Sequence, residues 1–212
     1  MSEAMITPAQ VAEALQRVGQ QLIALKDTLN ELDAAVGDGD LGLSMSKGGE
    51  ALLEFVRATP LNEGDDIGKY LANAGMAFNR AAPSTMGTLL ATALMRMGKE
   101  AKGTAALDAA LLARMLTAAD QGIQERGKAK PGDKTIVDAL HPAAEAFAAA
   151  VAAGAALPEA AQAMIRAAEQ GRDAAVALRS NVGRASWVGE RTVNRLDPGT
   201  VLCVEILKCL AQ

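Results

Sequence analysis

"TPAQVAEALQRVGQQLIALKDTLNELDAAVGDGD" runs from Thr7 to Asp40. Within it Val11, Leu15, Val18, Leu22, Leu25, Leu29 and Leu32 recur at steps of three and four, the stripe of a helix with one apolar face. Thr7 can cap that helix, with Pro8 at its first position. The stripe stops at "VGDGD". There Asp33, Asp38 and Asp40 fall within eight residues, and a single glycine separates the last two.

The same pattern repeats along the chain. A second helix is predicted from near Gly42 to about Ala58. Asp65 or Asp66 opens a third through "IGKYLANAGMAF", and Ser84 or Thr85 opens a fourth through "MGTLLATALMRMGKEA". Asp108 opens a fifth, to about Arg126. "KAKPGDK" is a loop, and Asp133 is the candidate cap of a sixth helix, which Pro142 should kink or divide. Pro158 starts a seventh, to about Arg179. Residues 180–196 look irregular, and Asp197 caps an eighth, with Pro198 at its first position. No segment reads as a strand. Helices joined by mostly short loops predict one all-α domain over residues 1–212, an eight-helix antiparallel up-down bundle or barrel. Only 2% of residues are aromatic, so alanine and leucine must fill the core, which suits closely packed helices better than sheets.

Composition narrows the function classes. The net charge is −4, and no basic block or basic–aromatic interleaving occurs, which argues against a nucleic-acid partner. No run of about 18 apolar residues without charge appears, so no membrane span is expected. The start, "MSEAMITPAQ", lacks the basic and apolar regions of a signal peptide, and a cytoplasmic protein is expected. Cys203 and Cys209 read as two buried thiols in a reducing compartment. His141, the only histidine, precedes Pro142 away from the loop tips and reads as structural. A Ser–His–Asp hydrolase and a histidine-rich metal site are thereby disfavoured.

Helix parity then sorts the loops. Those after the first, third, fifth and seventh helices lie at one end of an up-down bundle. They are "VGDGDLG", "RAAPSTMG", "RGKAKPGD" and "NVGRASWVGERTVNRLDPG". The opposite end carries plainer connections, "TPLNEGDD", "GKEAKGTAA" and "AAGAALPE". Chemistry is therefore expected at one end. Taken alone, "GDGD" is either a turn with caps or an oxygen site for a hard cation such as magnesium. The helix start behind it favours an anion. An EF-hand register fails, because positions five and twelve would be Gly42 and Gly49. "APSTMGTLL" alone is an N-cap. "RGKAKPGDKT" lacks the Walker A order. Arg184, Arg191 and Arg195 could clamp phosphate or dock an acidic partner.

Together these segments resemble the nucleotide-binding L subunit family of the dihydroxyacetone kinases. "LDAAVGDGDLG", "QERGKAKPGDKTIVDALHPA" and "GRASWVGERTVNRLDPG" occur in the family's order, and the resemblance spans essentially the whole chain. It implies an antiparallel barrel of eight helices with ADP or ATP at one end. It also implies two magnesium ions (Mg2+) held by Asp33, Asp38 and Asp40 against the nucleotide phosphates. Nucleotide contacts would fall on Leu41, Gly42, Leu43 and Ser44, on Thr85 and Met86, and on Gly127 and Ile136. Arg184 and Asp197, Pro198 and Gly199 would complete them. Ile136 would line the adenine slot, and Arg184 would face phosphate or the partner.

No catalytic residue is assigned within the chain. In this family a separate K subunit holds the ketone substrate, so the implied activity is that of a phosphotransferase subunit needing a K-type partner. Some members exchange ATP, while others keep ADP bound and have it rephosphorylated by a phosphotransferase-system protein. The chain departs from the family pattern at Leu41 and Ser44, where histidine and asparagine are usual. Its "PSTMG" also departs from the usual "GG-x-SG". Related kinases act on other small ketoses such as erythrulose. A nucleotide-binding regulatory or docking module without turnover of its own is the alternative, and a kinase with an acyl acceptor is a third option.

Overall fold

The computed structural model describes residues 5–183 and 185–212. Among them, ten α-helical segments account for nearly all regular structure. They are α1 (Pro8–Ala24), α2 (Lys26–Ala34), α3 (Leu41–Ala58), α4 (Ile67–Ala81), α5 (Thr85–Glu100), α6 (Ala109–Gly127), α7 (Val137–Ala152), α8 (Leu157–Ala175), the single turn α9 (Ala185–Val188) and α10 (Pro198–Leu210). A short 3-10 turn, Gly189–Thr192, follows α9. The one isolated β-bridge among the described residues pairs Ile6 with Leu107.

Local chemistry sets most of the helix starts. Thr7 and Gln10 form a reciprocal capping box on α1, with Thr7 N–H donating to Gln10 Oε1 at 2.9 Å. Asp66, Ser84, Asp108 and Asp197 each accept a backbone N–H at the start of α4, α5, α6 and α10. Two starts differ from expectation. The long first helix is interrupted at Leu25, so α2 is a separate segment that packs on the start of α3. Asp133 does not cap α7. Its carboxylate instead accepts the Lys130 N–H inside the preceding loop, and the helix begins at Val137. Thr135 Oγ1 accepts the Val137 N–H at that start, and Asp138, in the first turn, ties down the loop by accepting the N–H groups of Gly132 and Thr135.

Helix neighbours in the chain are neighbours in space, and α10 packs against both α8 and α1. The ring α1–α3–α4–α5–α6–α7–α8–α10 therefore closes on itself. Leu22, Met45, Leu52, Phe78 and Leu202 centre one apolar cluster, and Ile123, Val137, Ala143, Met164 and Val204 centre a second. Both draw on α10. Cys203 and Cys209 are buried free thiols.

With so few aromatic rings, the helices approach backbone to backbone. A Cβ added to Gly49 would lie 2.5 Å from the Gly19 carbonyl, and one on Gly98 would lie 2.5 Å from the Gly68 carbonyl. Pro142 stays inside α7 as one helix. It lacks the N–H that would bond the Asp138 carbonyl, and α8 approaches that carbonyl at Gly171, where a Cβ would come to 2.1 Å. Gly171→Ala should therefore destabilise the protein by about 2 kcal/mol through overpacking against backbone that cannot yield. A urea titration checks this: the midpoint should fall with the slope unchanged. An unchanged midpoint would remove the account of how α7 tolerates its proline.

Candidate functional site

The carboxylate turn is built by α2 reaching across to α3. Gly39 takes φ +77, the left-handed conformation that lets the chain reverse between Asp38 and Asp40. Asp40 occupies the N-cap position of α3, yet its side chain makes no capping bond. Asp33 does that work from the previous helix: its Oδ2 accepts the N–H groups of Gly39, Asp40 and Leu41 at 3.0, 3.1 and 3.3 Å. Asn30, one turn earlier, accepts the Leu43 N–H through Oδ1 at 3.1 Å. A carboxylate facing the positive end of a helix is favourably placed. Gly42 seals the junction, because a Cβ there would fall 1.8 Å from the Lys26 carbonyl.

The result brings one oxygen from each of Asp33, Asp38 and Asp40 within 4.8 Å of one another. Three hard oxygen donors around a tight turn suit magnesium, which takes oxygen ligands and usually retains water and phosphate oxygens. The donor set therefore fits the cation that the sequence resemblance implies. Asp33 has Oδ1 in addition to the oxygen that caps α3.

The other polar loops converge on the same end. A Cβ on Gly199 would lie 3.1 Å from both the Ile136 backbone nitrogen and the Met86 methyl, so the starts of α5, α7 and α10 meet there. Gly127 ends α6, and a Cβ on it would contact Leu89, which belongs to the same apolar cluster as Ile136. Trp187, 84% exposed, and Val188 face Val36, Gly37 and Asp38 across an open cleft of about 330 Å³.

The individual side chains are disposed unequally. Leu41 and Ile136 are buried in the two apolar clusters, so they shape the floor from beneath. Gly42, Pro198 and Gly199 are buried, Ser44, Met86, Gly127 and Asp197 are half-buried, and Leu43 and Thr85 are exposed. Arg184 lies outside the described residues. His141 lies one turn into α7, with Nδ1 2.8 Å from the buried Asp120 carboxylate.

Sequence reasoning missed Lys134, which lies in the "KAKPGDK" loop. It is 3% exposed, and its ammonium donates to three backbone carbonyls, those of Val176, Leu178 and Thr192. Burial lowers its pKa, while Asp197 and Asp138 oppose that shift. Lys128, Lys134 and Asn194 are the described non-glycine residues with positive φ, and all three lie in the loops of this end. Such conformations cost on the order of 1–3 kcal/mol each and persist where the surroundings over-determine them. The only signal in the sequence is the dense "KPGDK" punctuation, which marks a tight loop without indicating which way its lysine points. Asn30 could have been flagged, since it shares a helix face with Asp33 at a spacing of three.

Burial drives the Asp197 carboxyl from 3.8 up to about 7, assisted by Asp138 and opposed by Lys134 and by the Thr200 N–H. Because the folded pKa is raised, the folded state holds a proton that the unfolded chain has already released. Stability should thus fall as pH rises from about 4 to about 7, and level off above. Asp197→Asn keeps a capping side chain and should flatten that limb, measured as the urea midpoint against pH. The two turn carboxylates should also separate. Asp33→Ala should cost about 1–2 kcal/mol by leaving the start of α3 uncapped, whereas Asp40→Asn should stay within about 0.5 kcal/mol. Equal losses in the two variants would contradict the capping assignment.

Comparison with known proteins gives the same picture. The family model described as the DAK2 domain matches residues 35–212. The ADP-binding subunit DhaL of the PEP-dependent dihydroxyacetone kinase of Escherichia coli (strain K12) is 29% identical over 206 residues, covering 97% of each chain. The ADP-binding subunit DhaL of the PEP-dependent dihydroxyacetone kinase 1 of Listeria innocua is 32% identical, over 93% of this chain and 92% of its own. The L-erythrulose kinase of Pectobacterium atrosepticum is 33% identical over 95% of this chain, which spans only 34% of that longer protein. In three dimensions the fold matches the dihydroxyacetone kinase of C. freundii in its complex with AMP-PNP and Mg2+. The TM-score is 0.74 at 24% identity, over 97% of this chain and 34% of that one. With a family match over most of its length and whole-length relatives of this kind, the chain belongs to the DAK2-domain family.

Proposed function

We propose that the chain is the nucleotide-binding subunit of a small-ketose kinase. It would hold ADP or ATP with magnesium at one end of the barrel and present the terminal phosphoryl group to a hydroxyl on a ketose held by a separate K-type subunit. The observation that carries this is the oxygen triad of Asp33, Asp38 and Asp40, gathered within 4.8 Å at the start of α3. The relatives named as ADP-binding subunits over their whole length support it, as does the shared fold of a kinase solved with AMP-PNP and Mg2+.

Each group has a physical task under this proposal. Magnesium, once bound, neutralises phosphate charge and orients the transferred group, which is most of what phosphoryl transfer requires. Asp38 and Asp40 are its protein ligands, and Asp33 combines ligation with holding the turn. The start of α5 at Thr85 offers N–H groups to phosphate, while the starts of α3 and α10, whose N–H groups are bonded by Asp33, Asn30 and Asp197, contribute their positive helix ends. Ile136 and Met86 give the base an apolar floor, and Gly199 leaves room beside them. The nucleotide is either exchanged as ATP or kept as ADP and recharged by a phosphotransferase-system protein. Whether ADP co-purifies with the chain through gel filtration separates these modes.

The test is calorimetric titration with ADP, with and without magnesium. Magnesium-dependent binding is expected in the native chain. Asp38→Ala combined with Asp40→Ala should weaken it by at least about 100-fold, the scale of losing two charged ligands. Unchanged binding in the double variant would sink the site assignment. Ketose phosphorylation should appear only when a K-type subunit is added. A chain that binds nucleotide but supports no turnover with any such partner would instead be a regulatory or docking module.

A further inference from the structure

A single ammonium pinches both stems of a surface flap. Lys134 Nζ donates to the carbonyls of Val176 at 2.9 Å and Leu178 at 3.0 Å on the entering stem, and of Thr192 at 2.6 Å on the leaving stem. The stems are also joined directly. Ser180 N–H donates to Thr192 Oγ1 at 2.9 Å, and Asn194 N–H donates to the Val176 carbonyl at 2.9 Å. Asn181 N–H adds a bond to the Asp133 carbonyl, next to Lys134, at 3.1 Å. The segment between the stems hangs from this knot, and its described residues include Trp187 and Val188 on the cleft beside Asp38.

Lysine is a poor choice for a knot with no further task. The group is 3% exposed, and it sits on left-handed backbone at φ +58. What an ammonium supplies is three donors radiating from one atom, which no other side chain offers. All three are used here on carbonyls that converge on a point. Lys134 also lies two residues before Ile136, in the loop that leads into α7, and Asp197 and Asp138 are close enough to feel its charge. It therefore connects the loop that carries Ile136 to the stems of the flap.

We propose that Lys134 is a positioning residue for the nucleotide: by fixing the Val176, Leu178 and Thr192 carbonyls at one point, it holds the Trp187 flap at the carboxylate turn, so that a magnesium-bound nucleoside diphosphate is gripped between flap and turn. This rests on the nucleotide-binding function proposed above, and the experiment separates the two. Trp187 is the only tryptophan, so its emission and anisotropy report on the flap alone.

The full-length chain and its Lys134→Met variant are each titrated with ADP and magnesium, by calorimetry and by Trp187 fluorescence. In the native chain, binding should shift the emission. In Lys134→Met, affinity should fall at least tenfold, the emission shift should shrink or vanish, and the ligand-free anisotropy should drop as the flap loosens. Circular dichroism establishes that the variant is folded. If it is not, Thr192→Val, which removes only the hydroxyl between the stems, decides by the same readouts and the same directions. Native affinity with a native emission shift in the variant overturns the proposal. So does a loss of affinity with unchanged anisotropy and emission, because Lys134 would then act by another route. A native chain that binds no ADP with magnesium overturns the nucleotide-binding function itself, and the positioning role with it.

Discussion

Closure of the ring by α10 against α1 and α8 is the constraint on which the polar end depends. The last helix shares side chains with both apolar clusters: Leu202 and Cys209 with one, Cys203, Val204 and Leu207 with the other. Its start is thereby fixed in depth and rotation, which sets Gly199 against Ile136 and Met86. Glycine contacts at the crossings make this possible in a chain with 2% aromatic residues, because helices that touch through backbone need no large side chains to fill the gap.

Asp33 links the helices to the proposed chemistry. One of its oxygens satisfies three N–H groups at the start of α3. The turn that carries Asp38 and Asp40 is therefore shaped by the fold before any cation arrives. Crowded carboxylates repel one another, and anchoring one of them to a helix terminus offsets part of that repulsion locally. Under the proposed function, the ligand meets a site whose geometry has already been set, which lowers the ordering cost of binding.

Much of this was legible in the sequence because the interactions concerned are local. Thr7, Asp66, Ser84, Asp108 and Asp197 cap helices within three residues of themselves, and such bonds leave a readable signature. The interruption at Leu25 left none, since its leucine fits the apolar stripe as well as its neighbours do. Asp133 looked like a cap by the same local rule, yet the loop took its carboxylate for Lys130. Lys134 was illegible for a different reason. Its partners lie 42 to 58 residues away, and nothing in a Pro-Gly loop distinguishes an inward lysine from a solvated one. The carboxylate triad was visible as a cluster, but the division of labour between Asp33 and Asp40 required knowledge of which helix start each one faces.

Helix parity also determines where the chain enters and leaves the barrel. The Ile6–Leu107 bridge ties the segment before α1 to the connection between α5 and α6, which lies at the plain end. After an even number of staves, α10 runs back towards that same end. Both exits thus lie away from the carboxylate turn and the flap. Sequence appended on either side of such a barrel would begin at the end away from the polar face, which is compatible with using the unit alone or splicing it into a larger protein. That modularity fits a family in which whole-length relatives stand beside proteins three times as long, such as the erythrulose kinase that this chain spans by 34%.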